Sequence, residues 1–404
     1  MRTARLAQRD AGVLEAVAEA CAHLADLGFH YRRGDEAGDQ PVLLFYAPPA
    51  RMNPYQGLLY CRAFEHGVAP LPMKDWSGLA EVPWPGRMVC HFHWVGDVLA
   101  GAASDQEADD RVAAFAELLA TLRAQGRRIV WTAHNILPHD TQRPEHDAAV
   151  RRALVEAADA VHVMAPGTAG LLAEVVELSG AKALFVPHAS YAGAYPDYVS
   201  RASARSELGL EGEDFAFLLF GALQRYKGVD ELVAAFDRLL AGSPPRPVKL
   251  IVAGQASEGE WARRLRLWAT GTDAAVVEPS RIPLEDVQYY YRAADLAVLP
   301  YRRALNSGAA MLALTFGVPF LAPCLDGLKP LVDRFGCPSY DPADGGALHR
   351  AMAEALTADL GAVRSRIRAG IGELAPAAVS DRFFGELLGR LGWDRSRELA
   401  GARS

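Results

Sequence analysis

Short apolar runs recur along the chain, and between them apolar residues return every three or four positions. PVLLFYAPP (41–49), RMVCHFHWVG (87–96), RRIVWTAHN (127–135) and ALFVPHAS (183–190) read as buried strands, with another inside ADAVHVMAP (158–166). Helical spacing fills the intervals. QEADDRVAAFAELLATLRAQG (106–126) predicts a helix that Gly126 stops, and AAVRRALVEA (148–157) predicts another. NPYQGLLYCRAFEHGV (53–68) reads as a loop and then a helix with Leu58, Leu59, Ala63 and Phe64 inward. Apolar strands alternating with helices of this length predict a parallel sheet with crossover helices.

The pattern then restarts. After the polar stretch SRASARSELGLEGED (200–214), strands are expected in FAFLLFGA (215–222), VKLIVAG (248–254), AAVVEPSRI (274–282), LAVLPY (296–301) and VPFLAP (318–323), with helices between them. The chain is therefore expected to be α/β, two tandem doubly wound Rossmann-like domains with a boundary near residues 196–213. The division expected is a helical extension over 1–38, a first domain over 39–200, a second over 210–380, and a last helix in 381–404. That helix, DRFFGELLGRLGW (381–393), is amphipathic and is expected to pack back on the first domain. Ligands of such sheets lie outside the carboxyl ends of the strands, which points to a cleft with the two domains facing each other across it.

Composition narrows the function. A chain of 404 residues exceeds one ordinary domain, and a net charge of −7 speaks against a nucleic-acid binder, which carries a basic stripe. Five scattered cysteines (21, 61, 90, 324, 337) read as reduced thiols. No run of 18 apolar residues is present, and Asp10, Glu15 and Glu19 interrupt any leader-like stretch at the start. A cytoplasmic protein is expected, with peripheral membrane contact and oligomeric state left open.

Three strand-to-helix junctions of the second half are suited to an anion, because free N–H groups and the helix dipole face it there. The first runs from Gly221 past Arg225 to Lys227, where glycine permits close backbone approach and lysine offers a point charge. The second is Arg281-Ile282-Pro283, ahead of a helix that Pro283, Glu285 and Asp286 help to start. The third is Asn306-Ser307-Gly308, with Asn or Ser as a helix cap. Each has a plain structural reading, since such loops occur in every α/β protein; their order and spacing together are more informative.

FGALQRYKGVDELVAAF (220–236), VKLIVAG (248–254), YYYRAADLAVLPY (289–301) and NSGAAMLALTFGVPFLAP (306–323) resemble the nucleotide-sugar half of GT-B glycosyltransferases of the large group 1 family. The resemblance covers roughly residues 40–390 in architecture and 215–335 in motifs. It implies a donor diphosphate held by Lys227 and by the N–H groups around Ser307 and Gly308. It also implies a base lying against Ile282-Pro283, with Tyr301 on the floor beside it. The sequence departs from the commonest retaining branch at two places. Ala222 stands where that branch has an arginine, with Gln224 and Arg225 nearer the lysine, and Ala304 and Leu312 stand where it has paired glutamates. HFHW (91–94), AHNILPHD (133–140) and NPYQGLLY (53–60) resemble bacterial exopolysaccharide and other glycan-assembly transferases.

The first half must then supply acceptor contacts and any base. Seven of the 11 histidines lie there between 91 and 188: His91, His93, His134, His139, His146, His162 and His188. His91 and His93 share one strand face, and His134 and His188 sit at strand tips, so they are expected to converge on the carboxyl edge of the sheet. The base is read as His134, Asp140 or Glu145. Asn53, Tyr55, Gln56, His93, Trp94 and His188 are the expected acceptor contacts. Zinc is the rival use of clustered histidines, but no carboxylate stands at a fixed short offset and no Asp-x-Asp ends an apolar strand. No metal and no cofactor are expected. The function expected is transfer of a sugar from a UDP- or GDP-sugar to a glycan, lipid-linked or small-molecule acceptor. The alternatives are a sugar-nucleotide epimerase on the same fold and a catalytically inactive transferase-like partner.

Overall fold

The computed structural model describes residues 10–29, 40–50, 52–74, 76–138, 141–224, 227–256 and 260–393. The chain forms two compact units, Met1–Ala189 with Pro376–Ser404, and Ser190–Ala375.

The first unit begins with α1 (Asp10–Asp26), followed by β1 (Val42–Ala47), α2 (Tyr55–Leu59), β2 (Val68–Pro72) and β3 (Arg87–Phe92). It continues through α3 (Asp105–Ala124), β4 (Arg128–Thr132), α4 (Pro144–Ala157), β5 (Ala160–Val163), α5 (Thr168–Leu172) and β6 (Ala183–Phe185). The strands are parallel in the order β2-β1-β3-β4-β5-β6. Local chemistry sets the helix limits. Ser104 caps α3 by accepting from Glu107 N at 3.1 Å, and Gly126, at φ 74°, ends it in the left-handed region. The 53–68 segment gives only a short helix and a 3₁₀ turn before entering β2, whose Pro70 and Pro72 are tolerated because β2 is an edge strand.

The second unit runs α6 (Arg201–Glu207), β7 (Phe215–Phe220), α7 (Val229–Ala241), β8 (Val248–Ala253), α8 (Glu260–Thr270), β9 (Ala275–Glu278), α9 (Val287–Ala293) and β10 (Leu296–Val298). It ends with α10 (Gly308–Thr315), β11 (Phe320–Pro323), α11 (Lys329–Phe335), β12 (Ser339–Tyr340), α12 (Ala347–Ala355) and α13 (Leu360–Gly370). Its sheet is parallel in the order β12-β11-β10-β7-β8-β9. The division falls at Ala189/Ser190, ahead of the polar stretch read as a boundary. The connecting backbone already belongs to the second unit: Ser190 N donates to Leu374 O at 2.6 Å, and Tyr191 N to Thr315 Oγ1 at 2.9 Å. The charges of 200–214 are also structural. Arg201 pairs with Asp295 at 2.7 Å, and Arg205 meets the same carboxylate at 3.6 Å.

The last helix, α14 (Pro376–Arg390), is core material of the first unit. Phe383 and Phe384 are fully buried, in one cluster with Val42, Leu59, Val89, Val130 and Leu184. Ser380 Oγ donates to Leu59 O at 2.7 Å and accepts from Arg62 N at 3.0 Å. Phe383→Ala is expected to destabilise the first unit by about 3 to 5 kcal/mol, the range for removing a fully buried aromatic side chain. Denaturant unfolding followed by a probe in that unit checks this, and a loss under 1 kcal/mol would show that the helix is dispensable.

Candidate functional site

In the second unit, β7 and β8 end together at glycines. Gly221 (φ 118°) donates its N–H to Ala253 O at 3.0 Å, and Gly254 (φ 137°) follows β8. A Cβ on Gly254 would stand 1.9 Å from Gly221 O, and one on Gly228 (φ 73°) would stand 1.9 Å from Pro300 O. Side chains there are excluded by position as well as by backbone angle. Gly228 is also the cap of α7. This places Lys227 between the ends of β7 and β10, half-buried, with Nζ 6.0 Å from the Tyr301 ring centroid. Nζ also lies 3.6 Å from where a Gly221 Cβ would be. Burial lowers the pKa of the lysine. Gly221, Lys227 and Tyr301 are thus brought together; Arg225 lies outside the described residues.

Ser307 caps α10, its Oγ accepting from Ala310 N at 3.0 Å. Its hydroxyl is therefore engaged by the helix, so any anion there would have to be met by backbone N–H groups of the first turn rather than by the Ser307 side chain. Gly308 admits the Tyr191 hydroxyl, which would come within 2.8 Å of a Cβ there. Ile282 is half-buried and Pro283 exposed, in a turn closed by Asp286 N donating to Pro283 O at 3.1 Å. Leu312 is 6% exposed and packs in the core, so position 312 is an apolar packing position here.

In the first unit the histidines do assemble, and more tightly than spacing alone suggests. His91 lies on β3 with His93 just past its end, Thr132 on β4 and His162 on β5; all four are at most 1% exposed. Tyr60 OH lies 2.7 Å from His91 Nδ1 and 2.7 Å from His93 Nε2. His91 Nε2 is 2.8 Å from Thr132 Oγ1, which is 3.1 Å from His162 Nδ1. His162 Nε2 is 2.8 Å from Val186 O, and His93 Nδ1 is 3.1 Å from His134 Nε2. His134 is half-buried and stacks on Trp94, with centroids 4.3 Å apart and planes at 15°. Phe383 stacks on His91 with centroids 5.6 Å apart. Tyr55 meets both His134 and His188 edge-on, at 4.9 and 5.1 Å. Burial, then mutual repulsion, holds the pKa values of His91, His93 and His134 well below the usual value; those of His162 and His188 fall to about 4.

Other expected site residues fall elsewhere. The Gln56 side chain is engaged by its own loop, accepting from Ala50 N at 2.6 Å and donating to Pro48 O at 2.9 Å. Asn53 Oδ1 accepts from Tyr55 N at 3.0 Å in a local turn. Glu145 is exposed in the first turn of α4, and Asp140, like His139, lies outside the described residues. Sequence reasoning passed over Tyr60 and Thr132, the hydroxyls that join the histidines, and the buried Arg151–Asp147 pair at 3.3 Å, whose Nη2 reaches Asn135 Oδ1 at 3.4 Å. Thr132 was findable, since it occupies the β4 position beside the strand carrying HFH. Tyr60 had no such signal. Among the described residues, no group of three or more His, Cys, Asp or Glu side chains has the arrangement of a metal site, and no helix is long and apolar enough to cross a membrane.

Residues 214–360 match the sequence profile of glycosyl transferases group 1. A D-inositol 3-phosphate glycosyltransferase of Catenulispora acidiphila is 29% identical over 314 residues, spanning 72% of this chain and 70% of that one. A GDP-mannose:glycolipid 4-beta-D-mannosyltransferase of Xanthomonas campestris pv. campestris is 28% identical over 301 residues, with 72% and 75% covered. Among solved structures, Anabaena HepE in complex with UDP and glucose superposes with a TM-score of 0.62 at 15% identity, covering 87% of this chain and 100% of that one. WaaG, a glycosyltransferase involved in lipopolysaccharide biosynthesis, gives 0.57 at 16%, with 85% and 100% covered. At those identities the structural likeness is one of fold.

The neutral histidines make the first unit acid-sensitive. His162 and His188 take up a proton at about pH 4 when folded, against an ordinary 6.5, so the unfolded chain binds more protons between those values. Their contribution is complete above pH 6.5 and is lost toward pH 4, at up to about 1.4 kcal/mol per pH unit for each histidine. Urea unfolding at pH 7.5 and pH 5.5 is expected to show lower stability at the acid value. Equal or greater stability at pH 5.5 would contradict the assignment of these groups as neutral.

Proposed function

We propose, from the premise that this chain is a GT-B glycosyltransferase with a group 1 donor domain, that it moves a hexosyl group from a UDP- or GDP-sugar to a glycan, lipid-linked or small-molecule acceptor, without a metal ion. The observation that carries this reading is Lys227. Its ammonium is half-buried at the carboxyl ends of β7 and β10, beside Gly221, and has no carboxylate partner among the described residues. A desolvated cation with no counter-charge is costly, and a diphosphate would supply that charge. The backbone N–H groups of the first turn of α10 would share it, and Ile282-Pro283 would lie against the base.

In this reading the second unit binds the donor and the first unit binds the acceptor and takes its proton. The acceptor oxygen forms a bond to the anomeric carbon as the bond from that carbon to the diphosphate breaks. The diphosphate leaves with the electron pair, stabilised by Lys227 and the helix amides, and the hydroxyl proton passes to the neutral imidazole of His134. His134 is the base of choice among the three considered: it joins the buried cluster at a half-exposed edge, while Glu145 points to solvent on α4. Tyr55, Trp94 and His188, packed around it, would form the acceptor side; His93, also expected there, is 1% exposed with both ring nitrogens engaged and lies behind His134. Relatives that act on glycolipid and on an inositol phosphate support an acceptor bearing hydroxyls without choosing between those classes.

Lys227→Ala is expected to weaken binding of the cognate nucleoside diphosphate by roughly 10- to 150-fold, the worth of a lost hydrogen bond to a charged group, with the fold intact. Titration calorimetry reads this, and unchanged affinity would remove the donor-site assignment. His134→Ala is expected to lower turnover by roughly 10²- to 10⁴-fold while leaving nucleotide affinity within a factor of two. Normal turnover in that variant would move the base elsewhere. Binding without turnover in the unaltered protein, across donors and acceptors, would favour an inactive partner subunit.

A further inference from the structure

We infer that a directional hydrogen-bond chain, from the Val186 carbonyl through His162, Thr132, His91, Tyr60 and His93, holds His134 as the tautomer protonated at Nε2, so that Nδ1 is its basic nitrogen. The direction follows from the anchor. A carbonyl oxygen only accepts, so His162 Nε2, at 2.8 Å from Val186 O, carries the proton. His162 is fully buried in neutral surroundings, and a neutral imidazole with hydrogen on Nε2 accepts at Nδ1. Two hydroxyls stand within reach of that nitrogen, Thr132 at 3.1 Å and Tyr55 at 3.3 Å.

If Thr132 donates to His162, its oxygen accepts from His91 Nε2 at 2.8 Å, and His91 Nδ1 must then accept. The donor to His91 Nδ1 is Tyr60 at 2.7 Å, which commits the phenol proton. The other 2.7 Å contact of Tyr60 is then filled by a proton on His93 Nε2. His93 Nδ1 accepts in turn, and the 3.1 Å contact to His134 Nε2 holds the His134 proton. Every link contains one proton. In the opposite sense Thr132 donates to His91 and every later proton shifts by one nitrogen; His162 Nδ1 is then left with only the longer 3.3 Å contact to the Tyr55 hydroxyl, while the 3.1 Å contact to Thr132 Oγ1 brings two lone pairs together. Inside a dry interior that arrangement is unfavourable.

The chain is insulated. His91, His93, Thr132 and His162 are at most 1% exposed and Phe383 covers two of the rings, so water does not randomise the tautomers. No carboxylate takes part in any of its links, and the depressed pKa values agree with a neutral chain throughout. Tyr60, Thr132 and the inner histidines therefore act through His134 and are positioning residues. This deepens the role given above to His134, and only its kinetic arm rests on that reading.

The test is a two-bond ¹H–¹⁵N correlation spectrum of the full chain labelled at histidine, without ligand, at pH 7.5, with His134 assigned by substitution. The expected result is a protonated Nε2 and an unprotonated Nδ1 at His134. Thr132→Val and Tyr60→Phe, which each remove one hydroxyl, should produce mixed or inverted tautomers at His134, and Thr132→Ser should keep the original one. With turnover available, Thr132→Val should lower kcat at least tenfold with donor KM within a factor of two, and Thr132→Ser should restore it, as expected for a base held in the wrong tautomer. A proton on Nδ1 of His134 in the unaltered protein overturns the proposal. So does an unchanged tautomer in both Thr132→Val and Tyr60→Phe. Absence of any transferase activity would bear on the function proposed above and leave the spectroscopic result standing.

Discussion

Polar groups at the carboxyl ends of buried parallel strands must be satisfied without help from bulk water, and the two units meet this constraint in opposite ways. In the first unit the histidines satisfy one another through two hydroxyls, ending on a backbone carbonyl. In the second unit Lys227 has no such chain, and its charge rests near an aromatic face and a bare glycine backbone. A closed neutral network stabilises and orients; a cation with no carboxylate partner among the described residues is suited to an anion. The first arrangement suits proton acceptance and the second suits phosphate binding. The transferase reading needs both.

The packing around each element serves that division. The glycines at 228 and 254 allow backbone to cross backbone where a side chain would overlap a carbonyl oxygen, and Gly221 leaves room beside the Lys227 ammonium, which brings Lys227 onto the strand ends. On the other sheet, α14 places Phe383 against His91 and His162, so the last helix both completes the core and shields the network. An imidazole walled in this way has a lower affinity for protons than one in water. Its end at His134 is half-exposed, which is where the proposed reaction needs a proton acceptor.

Much of this was legible in the sequence, because the parallel strands are continuous apolar runs and the strand-to-helix junctions carry glycine, serine and lysine in a recognisable order. The histidines were visible as strand-tip residues. Their connection was not, because Tyr60 sits in a turn between α2 and β2 and reaches them only through the fold. Gln56 read as a polar contact for a ligand and proves to bond its own loop, which no local pattern distinguishes. The polar stretch at 200–214 read as a linker because its charges match solvent exposure, yet Arg201 and Arg205 are paired to Asp295, some ninety residues away in the chain. β2 was hidden by its prolines, which are allowed only because the strand lies at the edge. Each miss is a long-range satisfaction of a polar group or a tolerance set by position in the sheet.

The central claim, a nucleoside-diphosphate site at Lys227 that needs no metal, is tested most directly by thermal denaturation of the unaltered protein with UDP, GDP, dTDP and ADP, each with and without magnesium. A ligand present at 100 times its dissociation constant adds about 2.7 kcal/mol to the folded state. The account predicts that UDP or GDP stands clear of the others and that magnesium does not change its effect. Stabilisation by none of the four, or only when magnesium is present, would contradict it.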